Sequence, residues 1–212
     1  MNALFDRPRA EIAPGAVHLP GWLPQARQAE LVAACLEWAK PPAGSRHTVL
    51  PAGGVMSVRT VCLGWHWIPY KYVRTADDGT PVKEFPRWLA ELGRAALADA
   101  YGDPACYRPD VALVNFYDAD AKMGMHQDRD ERSTAPVISL SLGASCVFRF
   151  GNTANRARPW HDVELESGDL FVFGGESRLA FHGVVRTLPG TDRPDIGLPS
   201  GRINITLRES GL

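Results

Sequence analysis

Cysteine is scarce in this chain. Its four residues, Cys35, Cys62, Cys106 and Cys146, stand far apart with no C-x-x-C pair, which argues against a disulfide framework and against a thiolate zinc site. A reducing cytoplasm is the expected setting. Long apolar runs are also missing: nothing approaches the ~18 residues of a spanning helix, and the opening MNALFDRPRAEIAPG lacks the basic-then-apolar layout of a signal peptide. No membrane association is expected. There is no excess of positive charge, since 23 Lys and Arg face 24 Asp and Glu, and a protein that coats duplex DNA by bulk electrostatics needs many phosphate-neutralising side chains. Local basic patches remain, at Arg129 and Arg132 and at Arg149, Arg156 and Arg158. Internal repeats are absent, and Ser177 does not sit in the G-x-S-x-G of a nucleophile elbow.

What is present describes one globular domain covering 1–212, expected to act as a monomer. The 45% apolar and 22% charged residues are ordinary for a folded protein, and the length suits a single core. After a proline-punctuated N-terminal arm, residues 24–40 read as a helix whose buried stripe is Leu31, Val32, Cys35, Leu36 and Trp38, ended by Pro41-Pro42. Residues 85–101 read as a second helix, with Phe85, Trp88, Leu89, Leu92 and Ala96 on one face and Gly102 as its stop. Between them, Gly53-Gly54, Gly64 and Asp77-Asp78-Gly79 separate short segments, and VMSVRTVCLGWHWIPYKYVRT predicts aromatic-rich hairpins.

From Val111 onward the pattern becomes strand-like: VALVNFYD, APVISLSLGASCVFRFG, DVELESGDLFVFGG, LAFHGVVRTL and GRINITLRES, parted by turn residues. Many short strands without intervening helices indicate a sandwich, barrel or jelly roll. The stretch 189–200, PGTDRPDIGLPS, reads as an exposed connection between the last two strands.

Two patterns carry chemistry. Side chains two apart on an extended strand face the same way, so His126 and Asp128 in MHQD can share a metal, with His182 in LAFHGV as third ligand. Two His and one carboxylate on one side of a metal leave positions open, as in non-haem iron(II) oxygenases. In the last strand, Arg202, Asn204, Thr206 and Arg208 alternate with Ile203, Ile205 and Leu207, so four polar groups share a face. If that face points inward, two buried Arg side chains call for anions, and a dicarboxylate would answer both. If it points outward, it is a solvated sheet surface. Asn115 and Tyr117 share a face of their own strand and could add neutral hydrogen bonds.

The ordered set N-x-Y, H-x-D, H and R-x-N-x-T-x-R resembles the AlkB family of iron(II)- and 2-oxoglutarate-dependent nucleic-acid dealkylating dioxygenases. It comes with LGW at 63–65, SLSLG at 139–143, ESGD at 166–169 and GGESRLAFHG at 174–183. The resemblance implies an α+β, mainly β, double-stranded β-helix (jelly roll), with N-terminal helices and a nucleotide-recognition lid over about 1–110 and the catalytic core over 111–212. It implies His126, Asp128 and His182 as iron ligands, and Asn115, Tyr117, Arg202, Asn204 and Arg208 as 2-oxoglutarate ligands. On this analogy Arg202 takes the distal carboxylate, while Arg208 and Asn115 lie near the carboxylate that helps chelate iron. Trp65 and Tyr72 match base-stacking positions, Asp130 matches a carboxylate facing the damaged base, and Arg156 or Arg158 supplies a further lid contact. The implied reaction uses O2 to demethylate bases such as 1-methyladenine and 3-methylcytosine in single-stranded DNA, duplex DNA or RNA, releasing formaldehyde, succinate and carbon dioxide. Two other readings stand beside it: a same-fold oxygenase acting on a small molecule or protein, and a noncatalytic jelly-roll module holding zinc or no metal. Trp67 and Pro69 depart from the usual lid sequence, and the loop between Gly151 and Trp160 differs in length.

Overall fold

Proline and glycine set the ends of the two helices. The computed structural model describes residues 7–76, 78–102 and 106–212, so Asp77 of the expected turn and the first six residues of the N-terminal arm lie outside the described part. Helix α1 (Gln25–Trp38) starts after extended Pro24, and α2 (Arg87–Tyr101) starts after extended Pro86 and ends at Gly102, which is left-handed with φ 85°. A residue without Cβ takes that conformation at no steric cost. Neither helix is long and apolar enough to cross a membrane.

Fourteen strands are formed by the described residues: β1 (Ala10–Ala13), β2 (Ala16–Leu19), β3 (Arg46–Val49), β4 (Val55–Leu63), β5 (His66–Ile68), β6 (Lys71–Val73), β7 (Val111–Tyr117), β8 (Met123–His126), β9 (Val137–Gly143), β10 (Cys146–Phe150), β11 (His161–Leu165), β12 (Leu170–Phe173), β13 (His182–Thr187) and β14 (Arg202–Arg208). The large sheet has the order β1-β2-β12-β9-β14-β7-β4-β3 and the small one β11-β10-β13-β8. Strands β7 to β14 thus divide four and four between two facing sheets, the jelly roll. The large sheet draws strands from both sides of residue 110, because β4 pairs with β7 and β2 with β12.

The two faces of the large sheet differ in chemistry. Ile203, Ile205 and Leu207 of β14 join Leu31, Val32, Cys35, Leu89 and Leu97 of the helices in one apolar cluster, each such side chain stabilising by about 1.5–3 kcal/mol on burial. The alternate residues Arg202, Asn204, Thr206 and Arg208 are buried as well. The polar face therefore points between the sheets and not into water. Beside it, Phe148, Phe150, Phe171, Phe173 and Tyr117 fill the inter-sheet space with aromatic contacts.

Three local expectations are corrected. Leu36 is 42% exposed and does not join the α1 stripe; its place inside is taken by Gln28, whose amide donates to Leu23 O and accepts from Ser167. Trp88 is at the edge of the core and stacks on Trp38 at 5.8 Å instead of burying fully. The connection 189–200 is exposed at Asp195, which pairs with the half-buried Arg193, but Ile196 and Leu198 turn inward and are buried in the helix-side cluster. Two apolar residues in a polar loop suffice to pin it down.

Strands β5 and β6 form a separate two-stranded hairpin with Trp67 directly opposite Tyr72. Gly64 admits the chain to it: φ is 78°, and a Cβ there would stand 1.9 Å from Asp110 O.

Candidate active site

Strand pairing delivers the three metal-ligand candidates to one point. His126 ends β8, His182 opens β13, and the two are register partners, while Asp128 follows two residues later on the extended continuation. Suitable donor atoms of all three lie within 4.8 Å of one another. The approach of β8 to β13 depends on Gly183, where a Cβ would lie 2.5 Å from Met123 O and 2.9 Å from Gly124 C. Gly183→Ala is therefore expected to push the strands apart, costing about 1–3 kcal/mol and weakening metal binding, as a urea melt and a metal titration will read.

Each imidazole is oriented by its own chain. Nδ1 of His126 lies 2.9 Å from Gly124 O and Nδ1 of His182 lies 2.9 Å from Ala180 O. A carbonyl only accepts, so both rings carry their proton on Nδ1 and turn the Nε2 lone pair toward Asp128. The separations are 3.5 Å from His126 Nε2 to Asp128 Oδ1 and 3.6 Å from His182 Nε2 to Asp128 Oδ2. Burial among Phe148, Phe150 and Phe173 lowers the His182 pKa to about 4, against the pull of Asp128. It is neutral, and ready to ligate, at physiological pH. Burial would raise the Asp128 carboxyl, but Arg208 and then the two imidazoles hold it well below the usual range. Buried Asp128 Oδ2 accepts no hydrogen bond from the described residues. Two imidazole Nε2 atoms and one such oxygen suit iron(II).

A second deficit lies deeper. Arg202 is 2% exposed and donates from Nη2 to Ser141 Oγ at 2.9 Å, with the Tyr117 ring 5.9 Å away, yet its Nε and Nη1 have no partner among the described residues. A guanidinium without a protein carboxylate is costly in such a place unless an anion arrives. Its planar fork matches a carboxylate. Tyr117 is buried, which raises its phenol pKa and keeps it neutral. Asn115 accepts from Thr60 at 2.9 Å, and Asn204 donates to Ser139 Oγ and Leu140 O and accepts from Thr206. The two amides thus sit in one buried hydrogen-bonded network on the same sheet face as Arg202.

Comparison with known proteins now decides the class. Residues 15–208 match the 2OG-Fe(II) oxygenase superfamily. The alpha-ketoglutarate-dependent dioxygenase AlkB homolog of Caulobacter vibrioides is 40% identical over 206 residues, covering 94% of this chain and 89% of that one. The chain belongs to the AlkB family. It is 32% identical over 220 residues to the DNA N(6)-methyladenine demethylase ALKBH1D of Arabidopsis thaliana, covering 93% of this chain and spanning only 50% of that longer protein. The solved structure of OsALKBH1 superposes with a TM-score of 0.85 at 32% identity, covering 94% of this chain and all of that one. As a member of this family the chain is an enzyme that uses iron(II) and 2-oxoglutarate, and the donor set and the two free nitrogens of Arg202 fit both.

In this AlkB-family enzyme the two arginines of β14 are not equivalent. Arg208 already has protein anions: Nη2 lies 2.8 Å from Asp128 Oδ1, and Nη1 is 2.9 Å from Glu131 Oε1 and 3.1 Å from the Tyr72 hydroxyl. Only its Nε lacks a partner. Arg208 thus meets the carboxylates of Asp128 and Glu131, whereas Arg202 has no carboxylate partner among the described residues.

Two residues of the expected lid, Trp67 and Tyr72, reach the acidic pair just beyond Asp128. Trp67 Nε1 donates to Asp130 at 2.8 Å, and the Tyr72 hydroxyl donates to Glu131 at 2.5 Å. Tyr72 is 8% exposed and packs on Cys62, Val111 and Leu113, so it is an anchor more than an open platform. One face of Trp65 is covered by Arg74 at 3.3 Å, and its Nε1 donates to Asp110. Arg156 and Arg158 are both exposed; Arg156 lies 5.8 Å over Phe181, next to His182, and Arg158 5.0 Å over Trp160.

Sequence reasoning left four residues unassigned. Glu131 and Arg178 form a buried pair at 3.0 Å. Gln127, between two candidate ligands, donates to Thr153 O and Leu179 O and ties the 151–160 loop to the metal motif. Asp169 accepts from Arg7, His18, Gly21 and Glu166 and ties the N-terminal arm to the start of β12. All four lie in or near quoted motifs, but most of their partners are distant in sequence. His47 and His161 are exposed and His66 is buried, all away from the three candidate ligands.

Proposed function

We propose that this enzyme removes alkyl groups oxidatively from N-alkylated nucleic-acid bases, with 1-methyladenine and 3-methylcytosine in single-stranded DNA as first substrates and duplex DNA or RNA as further ones. The observation that carries this is the closure of an aromatic hairpin, through Trp67 and Tyr72, onto the acidic pair Asp130-Glu131 directly beside the His126, Asp128 and His182 cluster. The names of its relatives, DNA demethylase among them, support the same class. A base stacked in a duplex cannot reach a centre set between two sheets, so the target must be flipped out or unpaired.

The division of labour follows. Iron(II) and 2-oxoglutarate, when bound, supply the oxidising chemistry with O2. His126, Asp128 and His182 hold the metal; Arg202 holds the distal carboxylate of 2-oxoglutarate, and Tyr117, Asn115, Asn204 and Arg208 shape the rest of that pocket. Asp130 presents negative charge to the cationic ring of the lesion, Trp65 and the hairpin that Tyr72 anchors wall the base, and Arg156, which lies over the Phe181 ring one residue before His182, contacts the strand. Hydroxylation of the N-methyl carbon would give an adduct that loses formaldehyde and, from these cationic rings, a proton, which restores the lone pair of the ring nitrogen, while 2-oxoglutarate becomes succinate and carbon dioxide. The protein works as a monomer in the reducing cytoplasm.

The test is formaldehyde and succinate release with iron(II), 2-oxoglutarate, ascorbate and O2 on single-stranded DNA carrying 1-methyladenine, 3-methylcytosine or N6-methyladenine, against unmodified DNA. Equal release of both products that depends on the lesion supports the proposal; succinate without lesion dependence removes nucleobases and leaves a small molecule or protein as substrate. Asp130→Ala is expected to cut formaldehyde release about 10- to 100-fold, the scale of one lost charge-assisted contact, while 2-oxoglutarate consumption persists. Equal loss of both, with the fold intact, removes Asp130 from substrate recognition.

A further inference from the structure

Glu131 has no place in the scheme above, although its side chain is completely buried. Its carboxylate touches three groups. Oε1 accepts from the Tyr72 hydroxyl at 2.5 Å and from Arg208 Nη1 at 2.9 Å, and Oε2 accepts from Arg178 Nη2 at 3.0 Å. Both of its cationic partners grip Asp128 as well. Arg208 Nη2 lies 2.8 Å from Asp128 Oδ1, and Arg178 Nη1 donates to the Asp128 backbone oxygen at 2.5 Å while its Nε donates to Ala135 O at 2.7 Å. Glu131 is therefore linked twice to Asp128, once to its carboxylate and once to its main chain.

We infer that Glu131 is a positioning residue that sets Asp128 for metal binding and couples the lid hairpin to it. The physical reason is competition for charge. Arg208 draws on the same carboxylate that must donate to the metal, and a guanidinium facing a lone carboxylate prefers to engage both oxygens. By holding Nη1, Glu131 leaves Arg208 a single bond to Oδ1 and keeps Oδ2 clear, consistent with the absence of any hydrogen bond to that atom. Arg178 fixes the backbone at the same residue, so the carboxylate direction is set from both ends. The Tyr72 hydroxyl brings the hairpin into this network, and Trp67, its register partner, docks on Asp130 one residue earlier. Lid docking and ligand orientation thus share one carboxylate.

The inference rests on the iron site and not on the identity of the base. Its test is a Co(II) titration of the full-length protein without 2-oxoglutarate or nucleic acid, following the d–d absorption of the bound ion. Glu131→Gln keeps the shape but loses the charge, and is expected to weaken Co(II) binding about 10- to 100-fold, the usual scale for partners that orient a metal ligand, with a shifted band. Tyr72→Phe removes only the hydroxyl, and is expected to shift the band and weaken binding in the same direction by a smaller factor. Wild-type affinity and band in a folded Glu131→Gln variant overturn the positioning role. Should that variant not fold, Tyr72→Phe decides: an unchanged titration overturns the coupling. If instead both variants shift Co(II) binding while no methylated DNA is turned over, the substrate proposal falls and the positioning role stands.

Discussion

Asp128→Ala is expected to eliminate turnover, lowering product release more than about 1,000-fold, because the metal supplies several kcal/mol and each 1.4 kcal/mol is about tenfold in rate. The side chain has a second duty that makes this variant informative. Its Oδ1 balances Arg208 at 2.8 Å, and losing one member of a buried ion pair typically costs about 3–5 kcal/mol. Here Glu131 remains to share the guanidinium, so a smaller loss of about 1–3 kcal/mol is expected from urea unfolding. A folded, metal-free variant would separate ligation from structure. Residual lesion-dependent turnover within tenfold of wild type would remove Asp128 from the ligand set.

Arg202→Met should have opposite effects on function and on stability. Two charge-assisted hydrogen bonds from Nε and Nη1, at about 1.5–3 kcal/mol each, correspond to a rise in KM for 2-oxoglutarate of 100-fold or more. In the absence of cosubstrate, the same guanidinium is a buried charge with two unpartnered nitrogens, and a well-packed apolar replacement of similar length is often neutral or stabilising by about 1–4 kcal/mol. The variant should therefore melt at or above the wild-type temperature without 2-oxoglutarate. Wild-type protein should gain stability from the ligand by mass action and the variant should not. A variant that melts much lower, with KM unchanged, would make Arg202 a structural residue and leave the cosubstrate without its anchor.

Much of the site was legible in the chain because strand chemistry is local. A period of two places His126 and Asp128 on one side and sorts β14 into Ile203, Ile205 and Leu207 against Arg202, Asn204, Thr206 and Arg208. The order of motifs then led to the family, and Gly102 and Gly64 stand where positive φ is required. Errors were also local in origin. Leu36 was given to the core by helical spacing alone, and Ile196 and Leu198 were lost in a connection judged by its polar average.

By itself, then, the sequence determined the element types, the alternating faces and the ligand candidates, since each depends on neighbours a few residues away. Only the tertiary structure decided which way the polar face of β14 turns, because burial is a property of the sheets and helices on either side. It alone distinguished Arg202, left without a protein anion, from Arg208, held by Asp128 and Glu131. It alone joined Tyr72 to Glu131 across 59 residues and Arg178 to Asp128 across 50. Charge pairing in a low-dielectric interior is set by distance in space, and no periodicity along the chain encodes it.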